Sequence, residues 1–160
     1  MRESLPLSVT LEVRDRCLCL HLQRAARAVG RYFDEVLRPL GLTNGQYSLL
    51  VSLNRPEPPR VAEVAHLLAV DRTTLTASIK PLERRGLMTS FQDDKDRRVR
   101  RLKLTDEGRD LLEKAVPIWR ETHDRIDKVV GADIDRLRTN LLALTFALPD
   151  PDEELSDPAP

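Results

Sequence analysis

The residues best suited to chemistry in this sequence fall into groups, and the most coherent spans residues 71–101. Arg72, Thr73, Thr74, Thr76, Lys80 and Arg84 supply cations and hydroxyls within one stretch of helical periodicity. On a helix over 72–85, Leu75, Ile79 and Leu82 share one face; Thr73, Ala77, Lys80 and Arg84 share the opposite face, flanked by Thr74 and Thr76. Small, hydroxyl and cationic groups displayed this way suit base edges and phosphates. Arg97, Arg98 and Arg100 follow in a polar stretch with Asp93, Asp94 and Asp96. Arginines at a hairpin tip fit a narrow, electronegative minor groove. The aspartates then serve to fix the turn and hold the arginines.

A second group could bind a small organic acid. His21, Arg24, Arg27, Tyr47, Trp119 and His123 offer guanidinium groups for a carboxylate and rings to stack on an aromatic one. Ordinary exposure for the arginines and histidines, and a core position for Trp119, are the plain alternatives. A third group is Cys17 and Cys19, the only thiols in the chain. If both lie on one helix they point about 200° apart, which disfavours a disulfide between them. A bond across a dimer, or to a small thiol, stays open; so does the commoner fate of free cysteine, a small apolar packing residue.

These side chains need elements to position them. Apolar residues from Val13 to Leu37 recur at helical spacing, with arginines on the other side, and predict one long helix ended by Pro39 and Gly41. Residues 1–12 have little periodicity and read as a flexible arm. Thr43-Asn44-Gly45-Gln46 has the spacing of a capping box opening the next helix, which stops before the stiff Arg55-Pro-Glu-Pro-Pro59. Val61–Leu68 predicts a short amphipathic helix. Asp71 is placed to cap the helix after it, and Gly86 to end that helix. Pro81 predicts a bend that concentrates base reading between Arg72 and Lys80, with Arg84 turned toward phosphate. Met88–Gln92 and Val99–Leu104 read as two strands around the charged tip. Thr105 caps a helix running to Gly131 with a bend at Pro117, and residues 133–148 form a last amphipathic helix.

The fold class that follows is mainly α with a small β-hairpin: a winged helix-turn-helix domain plus N- and C-terminal dimerisation helices. Helices over 13–40 and 106–148 flank a DNA-binding lobe over 43–105, and residues 149–160 form an acidic disordered tail.

The chain of 160 residues carries no net charge, which is unusual for a nucleic-acid binder. The charge is segregated, however. Residues 55–103 hold twelve Lys/Arg against seven acids, a net +5, whereas the stretch after Leu148 holds five acids and no base. No apolar run approaches the ~20 residues of a membrane span, and no secretory signal opens the chain, so a cytoplasmic location is expected. Gly-rich phosphate loops, nucleophile elbows and HExxH are absent, so neither an enzyme nor a cofactor is expected. His21 and His123 could meet, but lack a third ligand at metal spacing. A helical interaction module that binds no DNA is the better rival.

Three phrases, LRPLGLTNGQYSLL (37–50), VAEVAHLLAVDRTTLTASIKPLERRGL (61–87) and DDKDRRVRRLKLTDEGRDLL (93–112), resemble the MarR family of bacterial transcription regulators. The resemblance covers most of residues 13–148. It implies a homodimer with interlocked first and last helices, binding a palindromic double-stranded operator. Each copy would place a recognition helix in a major groove and a wing in a minor groove. It also implies that Arg98 is the wing-tip arginine and Asp96 its brace. Members usually respond to a small aromatic or phenolic ligand, or to thiol oxidation, and repression relieved by ligand is the family habit. Cys19 falls where the peroxide-sensing branch keeps its reactive thiol, but that branch's tyrosines are matched here by Phe33 and Asn44. Ligand control is therefore favoured over redox control.

Overall fold

The computed structural model describes residues 5–147; the acidic stretch after Leu148 and residues 1–4 of the arm lie outside them. Seven α-helices and one two-stranded antiparallel sheet are described, in the order α1 (Leu7–Arg16), α2 (Leu18–Leu37), α3 (Asn44–Ser52), α4 (Val61–Leu67), α5 (Arg72–Arg84), β1 (Met88–Gln92), β2 (Arg100–Leu104), α6 (Asp106–Val130) and α7 (Ile134–Ala147).

Two corrections fall at the N-terminal end. Residues 7–12, expected as part of a loose arm, belong to α1, whose residues are all outside the core. The long helix expected from Val13 is divided at Cys17, where the backbone turns extended (φ −70°, ψ 104°) and the thiol accepts from Leu20 N–H at 3.4 Å. Cys17 thus caps α2, and the 200° separation of the two thiols on one helix does not apply. Apolar periodicity continues across the break, which is why spacing alone missed it.

Capping side chains define most other boundaries. Thr43 and Gln46 form the reciprocal box, with Gln46 N–H to Thr43 Oγ1 at 3.2 Å and Thr43 N–H to Gln46 Oε1 at 3.1 Å. Asp71 accepts from Thr74 N–H at 2.8 Å, and Thr105 from Gly108 N–H at 3.0 Å. The turn between α4 and α5 reverses through Ala69, a non-glycine residue at φ 49°. Helix α5 is continuous through Pro81, with Arg85 N–H bonded to the Pro81 carbonyl at 3.2 Å.

One apolar core joins α2, α3, α4, α5, α6 and the hairpin. Leu37, Leu50, Val64, Leu82 and Leu102 are completely shielded from solvent, and Phe33, Leu75, Leu112 and Ala115 complete its walls. Gly108 sits where α6 starts against the α5–β1 corner; a Cβ there would lie 2.0 Å from the Leu87 carbonyl oxygen. Arg85, which sequence reasoning did not single out, donates to the Gly41 carbonyl at 2.6 Å and ties α5 to the turn after α2. The end of α6 and α7 are joined through Arg138, which reaches Asp127 at 2.6 Å and Asp135 at 2.8 Å. Among the described residues no helix is long and apolar enough to cross a membrane.

Candidate nucleic-acid interface

Helix α5 splits as its sequence dictates. Leu75, Ile79 and Leu82 are buried, while Arg72, Thr73, Thr74, Thr76, Ala77, Lys80 and Arg84 are exposed. Hydroxyl protons on this face are partly committed to the helix. Thr74 Oγ1 donates to Asp71 at 2.6 Å, holding the cap carboxylate below the usual range, and Thr76 Oγ1 donates to the Arg72 carbonyl at 2.7 Å. Both oxygens keep lone pairs for a donor from outside.

The wing is more strongly braced than the helix face. In the β1–β2 ladder Met88 pairs with Leu104 and Gln92 with Arg100, and the backbone of β2 is held on its far side by Leu102 N–H to Pro59 O at 2.9 Å. Asp93 is the anchor. Its carboxylate accepts from Lys95 N–H at 2.8 Å and Asp96 N–H at 3.1 Å, and pairs with the Arg101 guanidinium, which also donates to the Pro58 carbonyl at 2.7 Å. Asp93 is 8% exposed, and this guanidinium and the two amides hold its pKa at about 2. Sequence reasoning missed this clamp. The aspartates were expected to fix the turn and hold arginines, but nothing in the spacing paired Asp93 with Arg101 in the second strand.

Asp96 accepts from Arg98 three times, from N–H at 3.0 Å, Nε at 3.1 Å and Nη2 at 3.2 Å. Arg98 thereby drives the Asp96 carboxylate below the usual range. The Arg98 side chain remains 91% exposed, held at the base and free at the rim. Arg97 is exposed beside it. Arg100 instead bonds to Ser90 Oγ, which donates to the Glu83 carboxylate of α5 at 2.5 Å. The wing and the helix are thus linked through Arg100, Ser90 and Glu83. Between them runs a groove of about 470 Å³, walled by Arg72, Thr76, Lys80, Arg98 and Arg100.

The match to the family model is to "MarR family", over residues 42–99. The organic hydroperoxide resistance transcriptional regulator of Bacillus subtilis is 32% identical over 131 residues, covering 82% of this chain and 88% of that protein. The chain belongs to the MarR family. It is a DNA-binding transcriptional regulator of the winged-helix type. The Mycobacterium tuberculosis regulator MosR in complex with DNA superposes with a TM-score of 0.75 at 36% identity, covering 82% of this chain and 96% of that one. CouR of Rhodococcus jostii RHA1, bound to p-coumaroyl-CoA, gives a TM-score of 0.73 at 25% identity, covering 85% and 96%.

The residues expected to bind an organic acid are dispersed in this MarR chain. A cavity of about 740 Å³ opens between α3, the end of α4 and α6; Tyr47 and Trp119 line it. His123 packs at a tilt against Trp119 (centroids 4.1 Å apart) and Phe33 (5.0 Å) and does not line this cavity. His21, Arg24 and Arg27 do not line this cavity. Phe33 turns the opposite face of α2 to the core, and His21 Nδ1 faces the Cys17 carbonyl at 2.8 Å. The cations at the cavity are Arg109 and Arg120, both unrecognised from sequence. Burial pushes the Tyr47 phenol up, and the charge of Arg120 partly offsets this.

A second groove, about 810 Å³, lies between α2, α6 and α7 and is walled by Leu18, Leu22, Val29, Val130, Leu137 and Leu141. Cys19 lies at its edge, exposed, its Sγ accepting from Gln23 at 3.3 Å.

Proposed function

We propose that this chain works as a homodimeric repressor that binds a palindromic operator and is released by a small aromatic acid or its thioester. One observation carries the operator part: an exposed cationic helix face and an arginine braced at its base flank one groove, and Glu83, Ser90 and Arg100 link them. In this reading Thr73, Thr76 and Lys80 meet base edges, and Arg72, Arg84 and Arg97 meet phosphate. Arg98 enters the minor groove, while Arg100 acts first as a strut. The dimer is supported by the apolar groove of α2, α6 and α7, and by exposed Leu7, Leu11, Leu142 and Phe146.

The effector part rests on the cavity at Tyr47 and Trp119. Its volume suits a drug-sized ligand, its rings can stack on an arene, and Arg109 and Arg120 can take a carboxylate. The test is a fluorescence-anisotropy titration of duplex DNA with hydroxycinnamic and benzoic acids and their coenzyme A thioesters. An active effector raises the melting temperature and releases the DNA, and Trp119→Ala with Arg120→Ala abolishes both effects. DNA binding insensitive to every such acid overturns this part.

A second reading is favoured by the exposed Cys19 in the first turn of α2 and by the relation to the hydroperoxide regulator. Here oxidation of Cys19 releases DNA. Cumene hydroperoxide at stoichiometric amounts then weakens duplex binding in the wild type and not in Cys19→Ser; equal loss in both rejects it.

A further inference from the structure

We propose that the acidic C-terminal segment of this chain, residues 149–160, docks in the basic groove between α5 and the wing and competes there with DNA. The proposal rests on the reading of that groove as the nucleic-acid interface, and it adds an internal occupant. Arg60, Arg72, Lys80, Arg98 and Arg100 line the groove against a single acid, Glu83, which is already bonded to Ser90. Arg72 and Lys80 make no ion pair with another described residue. The segment holds Asp150, Asp152, Glu153, Glu154 and Asp157 and no base. The neutral net charge of the chain thus divides into a basic receiver and an acidic strand of opposite sign.

The end of α7 places the two near one another. Phe146 is the penultimate residue of that helix, and its ring lies 5.3 Å from the ring of His66 on α4. Ala62, which lines the groove, precedes His66 by four residues and shares its helix face. Beyond the 5.3 Å between the two rings, the groove wall at Ala62 is one further helical turn away, so the segment leaves α7 on the order of 10 Å from the groove. Twelve residues can extend at most about 40 Å, so the groove is well within reach. A tether this short gives an effective concentration on the order of millimolar, so weak charge pairing suffices to compete with non-specific duplex. An operator, which adds base contacts, displaces the segment more readily. The device would sharpen the ratio of specific to non-specific binding.

The full-length chain tests this in two ways. In the free protein, a zero-length carbodiimide should couple Lys80 to an acid of 149–160 within one chain, and excess duplex or about 0.5 M salt should erase that link. Neutralising the five acids together (Asp150→Asn, Asp152→Asn, Glu153→Gln, Glu154→Gln, Asp157→Asn) should tighten binding to a random duplex about fivefold in low salt. It should also steepen the salt dependence, with no difference left at about 0.5 M. The proposal is overturned if the segment couples to Lys114 or Lys128 and never to Lys80. It is equally overturned if isotope-mixed samples show only links between copies, or if neutralisation leaves affinity unchanged. The cross-link is read without DNA: its absence beside intact duplex binding rejects the docking alone. A wild-type chain that binds no duplex rejects the regulator reading instead.

Discussion

Residues 42–105 bury Leu42, Leu49, Leu50, Leu53, Val64, Leu75, Leu82, Leu87, Met88, Leu102 and Leu104, whereas α1 buries none of its residues and α7 leaves Leu137, Leu141, Leu142 and Phe146 at the surface. Within one chain, a lobe whose apolar core is closed by one face of α2 and α6 is set beside helix faces that stay uncovered. The lobe holds its charged groups in fixed pairs, as Asp93 with Arg101 and Asp96 with Arg98 show, and keeps Arg72 and Lys80 facing out. The outer helices keep apolar residues facing out instead. A side turned to a charged polymer and a side turned to another apolar surface are built by opposite rules.

The sharpest way to break the comparison is to attack the lobe's interior. Gly108→Ala drives a methyl into the Leu87 carbonyl, and Leu50→Ala empties a fully shielded site; each should cost about 3 kcal/mol in urea unfolding. Leu141→Asp on α7 should leave the lobe's unfolding free energy within about 0.5 kcal/mol, because it lies outside the core. It should weaken dimerisation about 100-fold in sedimentation by burying an unpaired carboxylate.

Acid should loosen the wing before the core. Asp93 titrates at about 2 in the folded chain, below the ~3.9 of a free aspartate. Its folded pKa is depressed, so its stabilisation is complete above about pH 5 and disappears as pH falls from about 4 to about 2. The amide protection factors of Lys95 and Asp96 should fall over that window, and Asp93→Asn should show the faster exchange already at neutral pH. Similar exchange in both proteins at neutral pH would separate the wing's order from its ion pair.

Much of the lobe was legible in the sequence because its signals are local. The Thr43–Gln46 box, the Asp71 and Thr105 caps and the two faces of α5 each depend on residues within one or two turns. The break at Cys17 was hidden because backbone torsion can change while apolar spacing continues. The Asp93–Arg101–Pro58 clamp was hidden because it joins residues 43 apart through the tertiary fold. Arg109 and Arg120 escaped notice for a related reason: helical periodicity gives the faces of α6 but not which face opens on a cavity. His21, Arg24 and Arg27 were chosen for their side-chain chemistry, which does not say where each helix face points, and they do not line that cavity.

The central claim is that α5 and the wing read one duplex together. Titration of a duplex taken from the region beside the chain's own gene, at several salt concentrations, tests it most directly. Arg98→Ala should weaken binding about tenfold, and Lys80→Ala should lower the logarithmic salt slope by about 1 per copy. Wild-type affinity and salt slope in both variants would contradict it.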